Sequence, residues 1–540
     1  FTSDPSIEKE LKNPFGTFSA FAEKLDYLKE LGVTHIQLLP VMSYYFVDEM
    51  NRERSLEYSS SKENYNWGYD PLSYFSLSGM YSNDPKNAAL RIEELKKLVS
   101  LIHEKGMGVI FDVVYNHTAT MSLFEDIEPN YYFFSDKNGN PKGSFGGGQF
   151  ASTHLMARKL IIDSLTYFTE NFKADGFRFD MMGNLDAETI ALAYEKVSKI
   201  NPKTLWVGEG WRTYNGDHGV TGVIPADQSW MDRTNAVAVF SDELRNELKS
   251  GFGCEGEPRF ITGGKRMIKT LFDNIKAKPS NISADDPGDV LQYVAAHDNL
   301  PLHDVIALSI KKDPADFEHE ILRRQRLANA YLLTHQGTIF IHSGQEYGRT
   351  KQFLHPKYES KLETAPEKST LFSSADGKPF KYPYFIHDSY DSSDAVNMFA
   401  WHKLSPGSEN ENLMSHTKGM IALRRSTDAF SYGDYERIEK NVSLIESPSI
   451  EKVDLAIAYK CHSEKEGCDY LVFANADEKE REFDISALRL KKDSIELLVD
   501  ADQAGTQKID KSESVEFVEE NGLIKSIKLQ PLMLCIIRSK

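Results

Sequence analysis

Apolar residues along the first four-fifths of the chain alternate between two spacings. Phe18, Phe21, Leu25, Leu28 and Leu31 recur at helical intervals behind Thr17, a good N-cap residue, and stop at Gly32. The run VTHIQLLPV follows at once. Its near-continuous apolar character predicts a parallel strand covered on both faces. A second helix is predicted over 85–105 from Ile92, Leu95, Leu98, Val99 and Ile102, and it leads through Gly106 into MGVIFDVV. A third spans about 154–171, with Leu160, Ile161, Leu165 and Phe168 inward, and leads into GFRF (176–179). The alternation continues with a helix over 187–200, the strands TLWVGEG, NAVAVFSD and VLQYVAAHDN, a helix over 321–333, the strand GTIFIHSGQE and a closing helix near 420–426. Polar groups stand at nearly every strand end, which favours a TIM-type barrel over an open doubly wound sheet. From about Tyr432 the pattern changes to short strand-like runs, VSLIES, LAIAYK, YLVFAN, SIELLVD and LMLCIIR, between charged loops. A catalytic domain over 1–430 and an antiparallel β-sandwich domain over 431–540 follow from that change.

Composition narrows the partners. A formal net charge of -18 argues against nucleic acid and anionic membranes and for a neutral ligand. No apolar run approaches the ~18 residues of a spanning helix, so no membrane insertion is expected. Four cysteines are too few and too scattered for a zinc site or a disulfide framework. Cys461 and Cys468 flank HSEKEG between two strand-like runs, where a hairpin would bring them nearly opposite each other. The loop FGGGQF is not a phosphate loop, because the following Lys-Ser/Thr is missing.

The candidate chemistry lies at the strand ends. Asp180 ends GFRFD, Glu209 lies in GEG and Asp298 in HDN, and the strand ends of a barrel converge on one face. Two carboxylic acids facing one cleft suit glycosidic bond cleavage, one attacking the anomeric carbon and the other protonating the leaving oxygen. DVVYNH, GFRFD, GEGW and HDN, in that order, resemble the four sequence regions of the α-amylase family of glycoside hydrolases. YNWGYDP (65–71) resembles the signature of its type I pullulanases, and the text around it is most similar to streptococcal cell-surface pullulanases.

The resemblance implies a (β/α)8 barrel and a retaining hydrolase of α-1,6 branch linkages in pullulan, glycogen, amylopectin or limit dextrins. Asp180 is then the nucleophile, Glu209 the general acid/base and Asp298 the carboxylate that holds sugar hydroxyls. Arg178 would keep Asp180 ionised, with Asp112 bracing the arginine, and the tryptophans around Glu209 would raise its pKa. His117 and His297 match the histidines at the scissile sugar, Tyr69 the aromatic on which it stacks, Trp211 a glucan platform, and Asp394 and Asn397 further glucan contacts. No cofactor is implied. Calcium stays open because Asn116 matches an asparagine of the family's calcium site. An extracellular or cell-surface location is implied as well. A transglycosylase, an α-1,4-acting enzyme and a non-catalytic glucan-binding protein are the competing readings.

The strand count gives a further expectation. Seven parallel strands can be read where such a barrel takes eight. The four regions fall where the family has its third, fourth, fifth and seventh strands, so the first strand is expected just before Phe1, in an upstream part of the same polypeptide.

Overall fold

The structure, a computed structural model, describes residues 1–539. Seven parallel strands form one curled sheet in chain order: β1 (His35–Leu38), β2 (Gly108–Val113), β3 (Gly176–Phe179), β4 (Leu205–Gly208), β5 (Ala238–Phe240), β6 (Val290–Gln292) and β7 (Thr338–Ile339). Every expected barrel strand is present, and all but GFRF are shorter than their apolar runs. VTHIQLLPV, for example, pairs only from His35 to Leu38. The helix over 17–31 is divided into Phe18–Ala22 and Leu25–Leu31. The side chain of Glu23, at the break, accepts from the backbone N–H groups of Lys12 and Asn13. The helix before β7 begins earlier than its apolar pattern, at Pro314, capped by Asp313.

The curl stops short of a ring. β1 and β7 are its two edges, and a cavity of about 720 Å³ opens between them, lined by Ile36, Leu38, Ile110, Val207, Leu291 and Ile339 among others. The helix layer does close over this seam. Helix Glu409–Ser426 packs on Leu25–Leu31, and Arg425 Nη1 donates to the carbonyl of Gly32 at 2.8 Å. The gap is therefore confined to the strand layer.

The C-terminal region carries a five-stranded antiparallel sheet in the order Val442–Leu444, Ala456–Ser463, Cys468–Asn475, Met533–Ser539, Ile495–Val499. A three-stranded sheet, Arg481–Asp484, Leu523–Leu529, Val515–Glu520, shares a core with it through Phe473, Phe483, Ile527 and Ile537. Two of those three strands carry the charged patterns VEFVEE and LIKSIKL, which hid them from an apolar-run reading. The other face of the larger sheet, with Tyr459, Val472 and Ile536, merges with Tyr331 and Leu332 of helix Pro314–Leu333 in a single cluster. Barrel and sandwich thus share one core.

The hairpin register overturns the expected proximity of the cysteines. Cys461 stands opposite Tyr470, and Cys468 opposite Ser463, so the two are offset diagonally. Diagonal neighbours lie beyond disulfide reach, and both thiols are free.

Candidate active site

β2, β3 and β4 are adjacent, and their C-terminal ends gather the charged groups. Along β3 the side chains alternate. Phe177 and Phe179 pack with Trp206 toward the helices, while Arg178 and then Asp180 take the other face. Asp112 is the register partner of Arg178. Arg178 is 2% exposed and stands at the centre of the cluster. Its Nη1 donates to Asp112 Oδ1 at 2.9 Å and to Asp180 Oδ1 at 3.1 Å, and its Nη2 lies 2.6 Å from Glu209 Oε1.

One guanidinium facing three carboxylates leaves an excess of buried negative charge, and such a site retains protons. Burial, reinforced by Glu209, pushes Asp180 up to about 6. Burial pushes Asp112 up to about 7 in spite of Arg178. Glu209 is also raised, by burial first, with Arg178 pulling the other way and Asp298 adding to the rise. Arg178 is shared with Glu209 and offsets part of the rise at Asp180. One expectation is corrected here. Trp206 forms no wall beside Glu209, since it points outward against Phe177, Phe179 and Tyr194.

The turn after β3 is shaped to meet Glu209. Met181 adopts a left-handed φ of 41°, and its N–H donates to Glu209 Oε2 at 2.9 Å. At Gly183 a Cβ would lie 1.7 Å from the Trp211 carbonyl oxygen, so the MMG sequence admits only glycine there. Trp211 is partly buried against Val207, Phe240 and Tyr293 inside the barrel mouth.

Asp298 follows β6 with a side chain 48% exposed, and its Oδ2 is 3.6 Å from His297 Nε2. Next to it Asn299 has a left-handed φ of 58°. Lys351, 1% exposed, donates from Nζ to the carbonyls of His297 and Asn299, at 2.8 Å each, and so ties down the backbone on both sides of Asp298. Burial and the Arg349 charge push this lysine down to about 7. Nothing in the RTK sequence singled it out. Its role comes from the β7 loop folding back beneath β6.

The aromatic residues form a brace. Tyr69 is 9% exposed, donates its hydroxyl to Asp112 Oδ2 at 2.6 Å, and lies stacked on His297 with ring centroids 5.2 Å apart. Trp67 meets His297 edge-on at 4.9 Å. Burial, with the Arg178 charge, holds His297 well below its ordinary pKa, so it is neutral. His117 is buried, with Nε2 3.8 Å from Asp70 Oδ1, and Asp70 Oδ2 accepts from the Tyr390 hydroxyl. Asp70, within YNWGYDP, is a site residue that the strand-end reading passed over.

The loop around 390 is used for its own bracing. Both amide ends of Asn397 are engaged locally: Oδ1 accepts from Ser389 Oγ at 2.8 Å, and Nδ2 donates to the carbonyls of Ser389 and Ser392. Asp394 accepts from the backbone N–H of Ser55 at 3.0 Å and joins this loop to the one after β1. Among the described residues no group of three or more His, Cys, Asp or Glu is placed to hold a metal ion. Asn116 is buried with both amide atoms unpartnered. Calcium takes about six to eight oxygens, of which Asn116 could supply one.

Comparison with known proteins bears on the same elements. Residues 4–143 match the family described as alpha amylase, catalytic domain, and residues 441–540 match SpuA C-terminal. The chain superposes on the catalytic module of the multi-modular glycogen-degrading pneumococcal virulence factor SpuA, in complex with an inhibitor, with a TM-score of 0.97 and 54% identity over 100% of this chain and 77% of that one. The chain belongs to the pullulanases of the α-amylase family. The pullulanase SAP of Group B Streptococcus, in complex with maltotetraose, gives a TM-score of 0.94 at 53% identity, over 100% of this chain and 69% of that one. Pullulanase A of Streptococcus pneumoniae serotype 4 is 55% identical over the whole chain. The chain spans only 42% of that relative's length.

Proposed function

We propose that the protein is a retaining glycoside hydrolase that opens α-1,6-glucosidic branch points in pullulan, glycogen, amylopectin and limit dextrins. The observation that carries the reading is the cluster of three carboxylates around Arg178, with a fourth, Asp298, held at the end of β6. Asp180 attacks the anomeric carbon and forms a glucosyl ester while Glu209 gives its proton to the leaving oxygen. Glu209, then ionised, takes a proton from the incoming water, and the ester is hydrolysed with the α configuration kept. Asp298 takes hydroxyl hydrogens of the sugar, most strongly in the transition state. His297, which is neutral, and also His117 are hydrogen-bond partners for the same ring, and the buried Asp112–Arg178–Tyr69 array fixes the nucleophile's position. No cofactor enters the reaction.

Product analysis on pullulan tests this. Maltotriose as the product, released as the α anomer, is expected. Panose-type products would replace it with an α-1,4-acting enzyme, and new linkages in place of new reducing ends would make it a transglycosylase.

The seam between β1 and β7 belongs to the same proposal. Two parallel edges with unpaired N–H and C=O groups, facing a cavity lined with Ile, Leu and Val, suit an eighth parallel strand. An upstream part of the same polypeptide supplies it in this reading, at an extracellular or cell-surface location. Residues 1–540 expressed alone should aggregate or be inactive and be rescued by the upstream fragment. A monomeric, fully active 540-residue protein would remove the need for that strand.

A further inference from the structure

The hexapeptide FGGGQF, unexplained by the chemistry above, places its two phenylalanines in opposite settings. Phe150 is fully buried among Phe124, Phe133 and Tyr74. Phe145 is 68% exposed, and its aromatic neighbour is His117, with ring centroids 6.4 Å apart. The glycines between them fix this contrast. At Gly146, with φ 64°, a Cβ would lie 2.6 Å from Asp70 Oδ1 and 3.2 Å from His117 Cδ2. At Gly147 it would fall 2.3 Å from Thr120 Cα. Gly147 N–H donates to the Thr118 carbonyl at 2.6 Å, and Gln149 bridges to His117. Only a chain without side chains can lie this close to the end of β2.

The backbone is therefore packed against the two segments that carry His117 and Asp70, and it presents Phe145 to solvent beside His117. Single exposed phenylalanines are common on protein surfaces. This one differs in being followed by two glycines packed closely against Asp70 and Thr120. A ring so placed gains by covering the apolar face of a flat ligand, and pyranose rings offer such a face.

We propose that Phe145 is a stacking platform for a glucosyl unit of the substrate chain adjacent to the unit being cleaved. The inference rests on the α-glucan reading above. It is tested in the full-length protein with pullulan and with α-glucosyl fluoride, which occupies only the position of the cleaved sugar. Phe145→Ala should lower the ratio of kcat/KM on pullulan to kcat/KM on the fluoride by about 10-fold or more, since most of the ring's stacking surface is lost. Phe145→Trp should restore most of the ratio. An unchanged ratio in Phe145→Ala, or a ratio that Phe145→Trp fails to restore, overturns the platform. A wild-type protein that releases no maltotriose from pullulan overturns instead the reading on which it rests.

Discussion

The strand ends of the barrel and the interior of the C-terminal sandwich bury polar chemistry to opposite degrees. Around Arg178 the barrel buries one guanidinium among three carboxylates, each raised from its ordinary pKa, with left-handed backbone at Met181 and Asn299 close by. The two sandwich sheets share a core that includes Phe473, Phe483, Ile524, Ile527 and Ile537. Charge buried this way seldom adds stability over an apolar core. The contrast teaches that the barrel mouth gives up stability for chemistry, whereas the apolar contact between the sandwich sheets adds stability.

Substitutions should separate the two regions. The largest effect falls on Asp180→Asn, which should lower turnover by about 10⁴-fold or more with every leaving group. Glu209→Gln should spare α-glucosyl fluoride, whose leaving group needs no proton. Equal losses on fluoride and pullulan in the Glu209 variant would contradict its role. In the sandwich, Phe473→Ala should cost about 3–5 kcal/mol of stability and leave turnover per folded molecule unchanged. Denaturant unfolding combined with active-site titration measures both quantities, and a fall in turnover per folded molecule would break the comparison.

Lys351→Met probes the boundary between the two kinds of role. If the lysine acts by holding Asp298, the variant should lose about 10²-fold in kcat/KM, largely in kcat. It should also add little to the loss already caused by Asp298→Asn. Additive losses in that double-mutant cycle would mark Lys351 as a general support of the fold.

The smallest effect is in the pH profile. Asp180 attacks only when ionised, and its pKa is raised to about 6, so kcat/KM should fall as pH drops through about 6 and not near 4. Stability runs the other way. A carboxyl raised on folding contributes stability that is complete below its unfolded pKa and is lost as pH rises through the folded value. For Asp180 the loss falls between about 4 and 6. An acid limb near 4 in the rate profile would show that Arg178 keeps Asp180 in the ordinary range after all.

Much of this was legible in the sequence. Apolar periodicity located each of the seven strands, because parallel strands covered on both faces leave continuous apolar runs. The motifs at their ends placed Asp112, Arg178, Asp180, Glu209, His297 and Asp298 within one site. The rest depended on packing across long sequence separations. Lys351 reaches back over more than fifty residues to the backbone beside Asp298, and no local pattern marks such a reach. Tyr69 also lies against His297 and pins Asp112, contacts that its motif does not announce. Cys461 and Cys468 looked opposed because hairpin register cannot be counted from loop length alone.

The core common to Tyr331, Leu332, Tyr459, Val472 and Ile536 bears on how the molecule can be taken apart. Shared packing couples the two regions, so the expected outcome in calorimetry is that they unfold together, and two separate transitions would contradict it. The sandwich is no portable module. Grafted onto another barrel, or excised from this one, it would carry a bare apolar flank with it. Designers seeking a shorter enzyme have to resurface helix Pro314–Leu333 before they trim at 441.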